Sequence, residues 1–382
     1  MLKNEMIIVG GGIIGLTAAY YLQKAGHRVR IFDQSEIGSE ASWAGGGILS
    51  PLAPWDYPPV INNLVHESLK DYPVFIEEIS AATGMDVEYL DSGMLVIADS
   101  SDTPKAKQWS DSYQQKVDRL DSAQALHQVE QNISERFDHA FYLPDVKQIR
   151  NPRLLATVKT YLQDNDVIFH NNEAVTEILH SKNSVRGVKT EQGKYEGDAV
   201  VVCAGAWTRK FFELKQTKIE PVLGQMLLYK TKPGTQKTII LHDKKYLIPR
   251  KDGHILSGST LEFKGFDKQP DSNFPHQQKA FSEQVLPILK NAEIVKKWCG
   301  FRPGLPSGIP YIDEHQEILG LYVNAGHYRY GLTMAHASAK ILLERMQIEV
   351  ENSNSLNHEA YAMNAERPSS EEFENYQTVD DK

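Results

Sequence analysis

The sequence predicts an α/β layer interwoven with an antiparallel β-sheet, and three observations predict it. A strand, a glycine turn, a helix and a second strand follow one another within residues 5–33. Alternating segments punctuated by turns fill much of 221–260. Finally, α/β patterning returns after the antiparallel stretches, so both layers are discontinuous along the chain. No internal repeat is evident.

Taken in order, Met6–Val9 is a short apolar run without alternation, as expected of a strand covered on both faces. A helix runs from about Ile14 to Ala25, stopped by Gly26, and Val29–Phe32 is the next strand. Residues 38–59 read as loop, rich in small residues and closed by prolines, and 60–83 as helix. Val87–Leu90 and Met94–Ala98 flank Asp91-Ser92-Gly93 and suggest a hairpin. A polar helical region covers 103–132. From Asn151 comes a helix, then strands at Val167–Phe169 and Ala174–Leu179, and a buried strand at Ala199–Cys203 ending in AGAW. Asp252-Gly253 turns a hairpin inside 221–260. A helix at 275–289, strands near 294–300 and 318–325, and a helix at Gly331–Arg345 complete the core. From Glu351 the chain carries eight acidic residues against Arg367 and Lys382, and reads as a mobile or loosely docked tail.

Composition narrows the function classes. Of 382 residues, 41 are Lys or Arg and 50 are Asp or Glu, without a long basic block, which argues against a nucleic-acid binder. Cys203 and Cys299 form neither a disulfide framework nor a zinc spacing and suit a reducing compartment. His242 and His327 belong to no H-E-x-x-H motif, so no metal site is expected. Lys3 and the apolar stretch after it mimic a signal sequence, but three adjacent glycines interrupt it and no cleavage pattern follows. No segment offers the roughly 20 apolar residues of a membrane span. A cytoplasmic location is the expectation.

Chemistry enters at Gly10, Gly12 and Gly15, a G-x-G-x-x-G directly after the first strand. Gly10 permits the tight turn, Gly12 lets a pyrophosphate approach, and Gly15 allows close helix packing at a helix N-terminus that favours anions. Asp33 ends the second strand, where its carboxylate can accept from an adenosine ribose. An acid there argues against a ribose phosphate, but does not separate FAD from NAD.

Distributed motifs do separate them. GGGIIG, AGGGILSP, VVCAGAW, WCGFRPGLPSGIPYI and NAGHYRYGL, in that order over residues 5–345, resemble the FAD-dependent D-amino-acid oxidase family, nearest its glycine oxidase branch of thiamine synthesis. The resemblance implies a Rossmann-type, glutathione-reductase-like FAD-binding domain at 1–83, 145–217 and 295–350. The substrate domain with its antiparallel sheet would take 84–144 and 218–294, and 351–382 would be tail. It implies that Gly10, Gly12, Ile13, Ile14, Gly15 and Asp33 hold the ADP side of FAD, and Ser39, Ala41 and Ser42 the pyrophosphate loop. Ala44, Gly45, Gly46, Gly47, Ile48 and Leu49 would run beside the flavin, with Val175 at the adenine and Ala204, Gly205 and Trp207 as a second contact. The alternative for AGAW is the plain end of a buried strand. Gly326, His327, Tyr328, Arg329, Tyr330, Gly331 and Leu332 would form the loop and helix start against the isoalloxazine.

At the substrate end, the planar fork of Arg302 in GFRPG suits a carboxylate, and the resemblance gives it that role over an internal salt bridge. Tyr246 would assist, Arg329 would be a second polar contact or orient the cofactor loop, and Leu261 would be an apolar pocket wall. The implied reaction moves a hydride from substrate Cα to flavin N5, giving an imine, then glyoxylate and ammonia from glycine, with oxygen as acceptor and hydrogen peroxide as product. Glycine, small D-amino acids or amines are the implied substrates; a link to thiazole synthase and homo-oligomerisation are implied too. A sarcosine or cyclic secondary-amine oxidase, a D-amino-acid dehydrogenase with another acceptor, and an inactive FAD scaffold stay open. Tyr330 and His336 depart from the family pattern. Cys299 raises covalent flavin attachment, although WCGFRPG resembles the non-covalent pattern more closely.

Overall fold

Four apolar residues in succession need cover on both sides. In this computed structural model, which describes residues 4–211, 219–269, 271–350 and 356–365, they receive it within the strand Glu5–Val9. The strand is central in a six-stranded sheet ordered 311–314, 321–325, 199–202, 5–9, 28–32 and 168–170. All neighbours run parallel except Tyr311–Glu314 against Leu321–Ala325. Met6 and Ile8 pack among helices; Ile7 and Val9 face the other way, onto Val185 and Val188 of a three-stranded sheet. The helices are Ile13–Lys24, Pro59–Thr83, Asn151–Asp164 and Gly331–Arg345.

The second layer is an eight-stranded sheet ordered 293–304, 220–230, 254–258, 245–249, 239–242, 94–97, 140–143 and 118–120. It is antiparallel save for Ile239–His242 beside Met94–Ile97. Period-two alternation divides its side chains. Leu227, Leu247 and Ile255 pack on the helix Phe274–Val285, while Met226, Tyr246 and Ile248 join the core shared with the first layer.

Several expectations need correction. No hairpin forms around Asp91-Ser92-Gly93: Leu90–Asp91 pairs with Lys147–Gln148, whereas Met94–Ile97 enters the large sheet. Gly93 does turn the chain, at φ 60°, but long-range pairing on both edges of Met94–Ile97 overrides a local one. The region 103–132 is two helices, Thr103–Tyr113 and Ala123–Val129, separated by the strand Asp118–Leu120. The strand expected at Ala174–Leu179 is Glu177–Ser181, first of three antiparallel strands. The loop 38–59 contains a helical turn, Ala41–Ala44. Helix 275–289 stops at Val285, because Leu286 precedes Pro287 and is forced extended. The strand expected near 294–300 runs to Gly304 within the antiparallel sheet, so the changeover expected at 295 falls after it. Part of the tail is firmly docked: Tyr361 is buried and donates to the Val60 carbonyl, and the Met363 amide donates to Asp313. Residues 351–355 and 366–382 of that tail lie outside the described residues.

Candidate active site

The two layers line a cleft of about 1850 Å³, open mouth included, that runs from the glycine turn to Arg302.

Its floor is the glycine turn. Gly10 has φ 110°, and a Cβ there would stand 2.3 Å from the Cys203 carbonyl oxygen. A Cβ on Gly12 would meet only Ser42 Oγ, at 3.1 Å, so this face of the turn is open to the cavity. Asp33 closes the turn from the side, accepting from the Gly11 and Ser35 amides at 2.8 Å each. Burial raises its pKa while those two bonds pull it down. Ser42 Oγ accepts from the Ile13 amide at 2.9 Å and pins the turn Ala41–Ala44 over the start of the first helix.

The loop Ala44–Ile48 is set from beneath. Asn151 Nδ2 donates to the Ser42 carbonyl at 2.7 Å, and Trp298 Nε1 to the Ala44 carbonyl at 3.1 Å. Buried Arg250 donates to the Gly46 carbonyl and to Gln148 Oε1, both at 2.7 Å. Burial, then neighbouring Arg150, bring its pKa down to about 10. The antiparallel layer thus holds the loop that lines the other layer's cavity.

At the far pole stands Arg302. It lies inside the strand Glu293–Gly304, whose pairing with Glu220–Lys230 continues through Pro303 and Gly304. Its guanidinium donates to Ser259 Oγ at 2.6 Å and to the Thr260 carbonyl at 3.1 Å. Burial lowers its pKa, an effect Tyr246 offsets and Arg329 reinforces. Opposite, Gly224 leaves the space the guanidinium fills: a Cβ there would be 2.3–2.5 Å from it. Tyr246 donates to Met226 Sδ at 3.5 Å. Arg329 and Tyr330 line the same cavity, and the Tyr330 hydroxyl makes a short hydrogen bond to that of Tyr57.

Of the residues anticipated from sequence, Gly15, Ser39, Leu49 and Leu261 do not line the cavity. Gly15 acts beneath it, where a Cβ would lie 2.0 Å from the Gly10 carbonyl oxygen. Ser39 is an exposed turn residue, Leu49 belongs to the core, and Leu261 follows the strand that ends at Gly258. His327 meets the cavity, but its Nε2 is engaged by Ser338 Oγ at 2.9 Å, and burial lowers its pKa to about 3. His336 lies away from it, edge-on to Tyr21, Tyr72 and Phe75, its pKa likewise lowered to about 3 by burial. Cys299 is outside the lining, packed near Phe301 and Trp207. Among the described residues no three His, Cys, Asp or Glu side chains could hold a metal ion, and no helix is long and apolar enough to cross a membrane.

Sequence reading missed Asn151, Gly224, Ser259 and Asn324, all on the lining. Two had a signal: a lone glycine inside a strand marks a close approach, and a polar residue ending an apolar strand faces the crevice of an α/β sheet.

The comparisons follow this geometry. A family model for FAD-dependent oxidoreductases, DAO, matches residues 5–345. The chain belongs to the FAD-dependent oxidoreductase family. Among its relatives, glycine oxidase of Pseudomonas putida is 38% identical over 90% of this chain and 94% of that protein. Glycine oxidase of Pseudomonas aeruginosa is also 38% identical, over 90% and 95%. A solved glycine oxidase from Bacillus cereus superposes with a TM-score of 0.85 at 27% identity, covering 92% of this chain and 96% of that one. A bifunctional protein ThiO/ThiG of Synechocystis is 27% identical over 89% of this chain, which spans 51% of that protein.

For an FAD-dependent oxidoreductase the residues present fit the cofactor. Asn324 is fully buried on the cavity wall with neither amide atom bonded, and Asn151 Oδ1 is likewise unsatisfied. Buried polar atoms are nearly always paired, so these await a polar ligand. The open face of Gly12 and the N-terminus of the first helix suit its pyrophosphate, and Asp33 its adenosine end.

Proposed function

We propose that this FAD-dependent enzyme oxidises glycine and small amines or D-amino acids to imino acids, and that it holds FAD non-covalently. The observation that carries the reading is Arg302: a half-buried guanidinium, held by a hydroxyl and a carbonyl and, among the described residues, by no carboxylate, in the cavity that starts at the dinucleotide turn. Bound FAD supplies the two-electron acceptor for the Cα hydride. Arg302 binds the substrate carboxylate by two parallel bonds, and Tyr246 limits the space over Cα. The acids lining the cavity, Asp33 and Glu40, are engaged with the Gly11 amide and with Lys268. The amine accordingly enters as its free base. Water then converts the glycine imine to glyoxylate and ammonia, and oxygen takes the electrons as hydrogen peroxide.

Placement of Cys299 outside the cavity lining supports non-covalent FAD. Two unpaired cysteines support a cytoplasmic location, and the ThiO/ThiG relative supports a functional link to thiazole synthase. Homo-oligomerisation belongs to the same reading. Anaerobic stopped-flow reduction with glycine, sarcosine, D-alanine and larger D-amino acids tests it. Arg302→Ala should keep FAD yet lose about 10²-fold or more in reduction at limiting glycine, with partial recovery in Arg302→Lys. Wild-type rates in Arg302→Ala would remove the clamp, and a large preference for sarcosine or D-proline would remove glycine as the substrate.

A further inference from the structure

The segment that holds Arg302 has left its own strand. The strand His254–Gly258 pairs with Glu220–Lys230 as far as Gly258, opposite Met226. Pairing resumes at Glu262, which exchanges backbone bonds with Leu223 in both directions, at 2.9 and 3.0 Å. Between these two pairs lie three residues on one side, 259–261, and two on the other, 224–225. The surplus residue makes the chain bulge, and bulges re-aim groups beside active sites. Here the bulge turns Ser259 Oγ onto Nη2 of Arg302 and the Thr260 carbonyl onto Nη1. Two bonds to two different nitrogens fix the plane of the guanidinium.

A bulged stretch lacks ladder bonds, so its shape needs another source. Glu262 Oε1 accepts from Thr260 Oγ1 and from Gln225 Nε2, both at 2.6 Å. Thr260 Oγ1 in turn accepts from the Gln225 backbone amide at 3.0 Å. Glu262 Oε2 pairs with Lys264 at 2.8 Å. Burial raises the Glu262 pKa, but Lys264, Thr260 and Gln225 together hold it below its ordinary value, so the acceptor is an ionised carboxylate. Bonds to a charged acceptor are roughly twice as strong as neutral ones. Thr260 is the link: Glu262 fixes its hydroxyl, and its carbonyl holds Arg302. Neither Glu262 nor Thr260 lines the cavity.

Resting on the amine-oxidase reading above, we propose that Glu262 is a positioning residue for the substrate carboxylate: it locks the bulge 259–261, and the bulge sets the plane of the Arg302 fork. Glu262 brings no atom to the reaction. It acts on how squarely the two guanidinium nitrogens meet two carboxylate oxygens, so its loss weakens recognition of the carboxylate and leaves the cofactor end of the cavity alone.

Two readouts on the holoenzyme test this: titration with acetate, a carboxylate without an amine, followed in the flavin absorbance, and anaerobic flavin reduction by glycine. Glu262→Ala should raise the acetate Kd and the half-saturating glycine concentration about tenfold, with FAD content unchanged. Glu262→Gln keeps an oxygen to accept from Thr260 and should recover most of the loss, to within about threefold of wild type. In the Arg302→Lys background there is no planar fork to orient, so adding Glu262→Ala should change either value less than about twofold. A folded, FAD-loaded Glu262→Ala enzyme with wild-type values would overturn the proposal and leave the clamp and the oxidase reading intact. An undiminished effect in the Arg302→Lys background would mean general damage to the fold and would overturn it too. If wild type binds no acetate and no amine reduces its flavin, the oxidase reading fails and takes the proposal with it. Should Glu262→Ala not fold, Thr260→Val, which deletes the hydroxyl and keeps the carbonyl, should show the same losses, and wild-type values there would overturn the proposal.

Discussion

Gly224→Ala probes the carboxylate clamp without touching the arginine. The new methyl carbon would lie 2.3, 2.4 and 2.5 Å from Nη1, Nη2 and Cζ of Arg302, where about 3.4 Å is the ordinary limit. The end of a long side chain can give way, so the fold survives, but the guanidinium must retreat by about 1 Å. That carries its bonds to Ser259 and Thr260, now 2.6 and 3.1 Å, out of good geometry. A misplacement of about 1 Å in a positioning group costs roughly 10²-fold in rate. This corresponds to about 2.7 kcal/mol, comparable with losing one or two charge-assisted bonds of about 1.5–3 kcal/mol each. Flavin reduction at limiting glycine should therefore fall about 100-fold, with FAD content retained. Combined with Arg302→Lys, whose ammonium lacks the planar group that clashes, the losses should be less than additive. A folded, FAD-loaded Gly224→Ala enzyme reducing at the wild-type rate would refute the clamp geometry.

Gly15→Ala should act through packing, pushing the first helix off the turn by way of the Gly10 carbonyl. It should lose FAD and at least the roughly 1–3 kcal/mol of an overpacked core, read as flavin content and Tm. Acid precipitation of wild type should leave a colourless pellet and a yellow supernatant, unchanged by Cys299→Ser; a yellow pellet would show covalent flavin. Burial holds His336 neutral down to about pH 3, whereas the unfolded chain protonates it near 6.5. The unfolded state binds the extra proton between these values, so Tm should fall as pH drops through that window. His336→Phe, still packed among Tyr21, Tyr72 and Phe75, should flatten that fall; an unchanged slope would exclude His336 as a source.

What could be read from sequence divides by contact range. The turn from Val9 to Asp33 was legible because strand, glycines, helix and acid are local, and each has one job. Gly331–Arg345 matches its expected bounds for the same reason. Asp91-Ser92-Gly93 misled because a turn residue fixes direction and not partner, and the partners here lie near 140 and 240. Arg302 was legible as a residue but not as part of a strand, since its pairing with Val222 is long-range. His336 departs from the family pattern, yet its ring belongs to the contact between helices 13–24, 59–83 and 331–345. Asn324 and Gly224 became meaningful only when the layers met, because an unsatisfied amide and a missing Cβ are properties of a neighbourhood.

Arg250 gives this architecture an order of assembly in time. Its bond to the Gly46 carbonyl joins positions 204 apart. A ribosome adding roughly 5–20 residues per second makes the glycine turn early and residues 326–332 roughly 15–65 seconds later. Through that interval the early strand and helix have no finished cavity, because its loop still lacks the anchor beneath it and its far wall does not exist. FAD capture is thus a late event that reports on a complete chain. Truncations before residue 250 should emerge colourless, however well their first thirty residues fold.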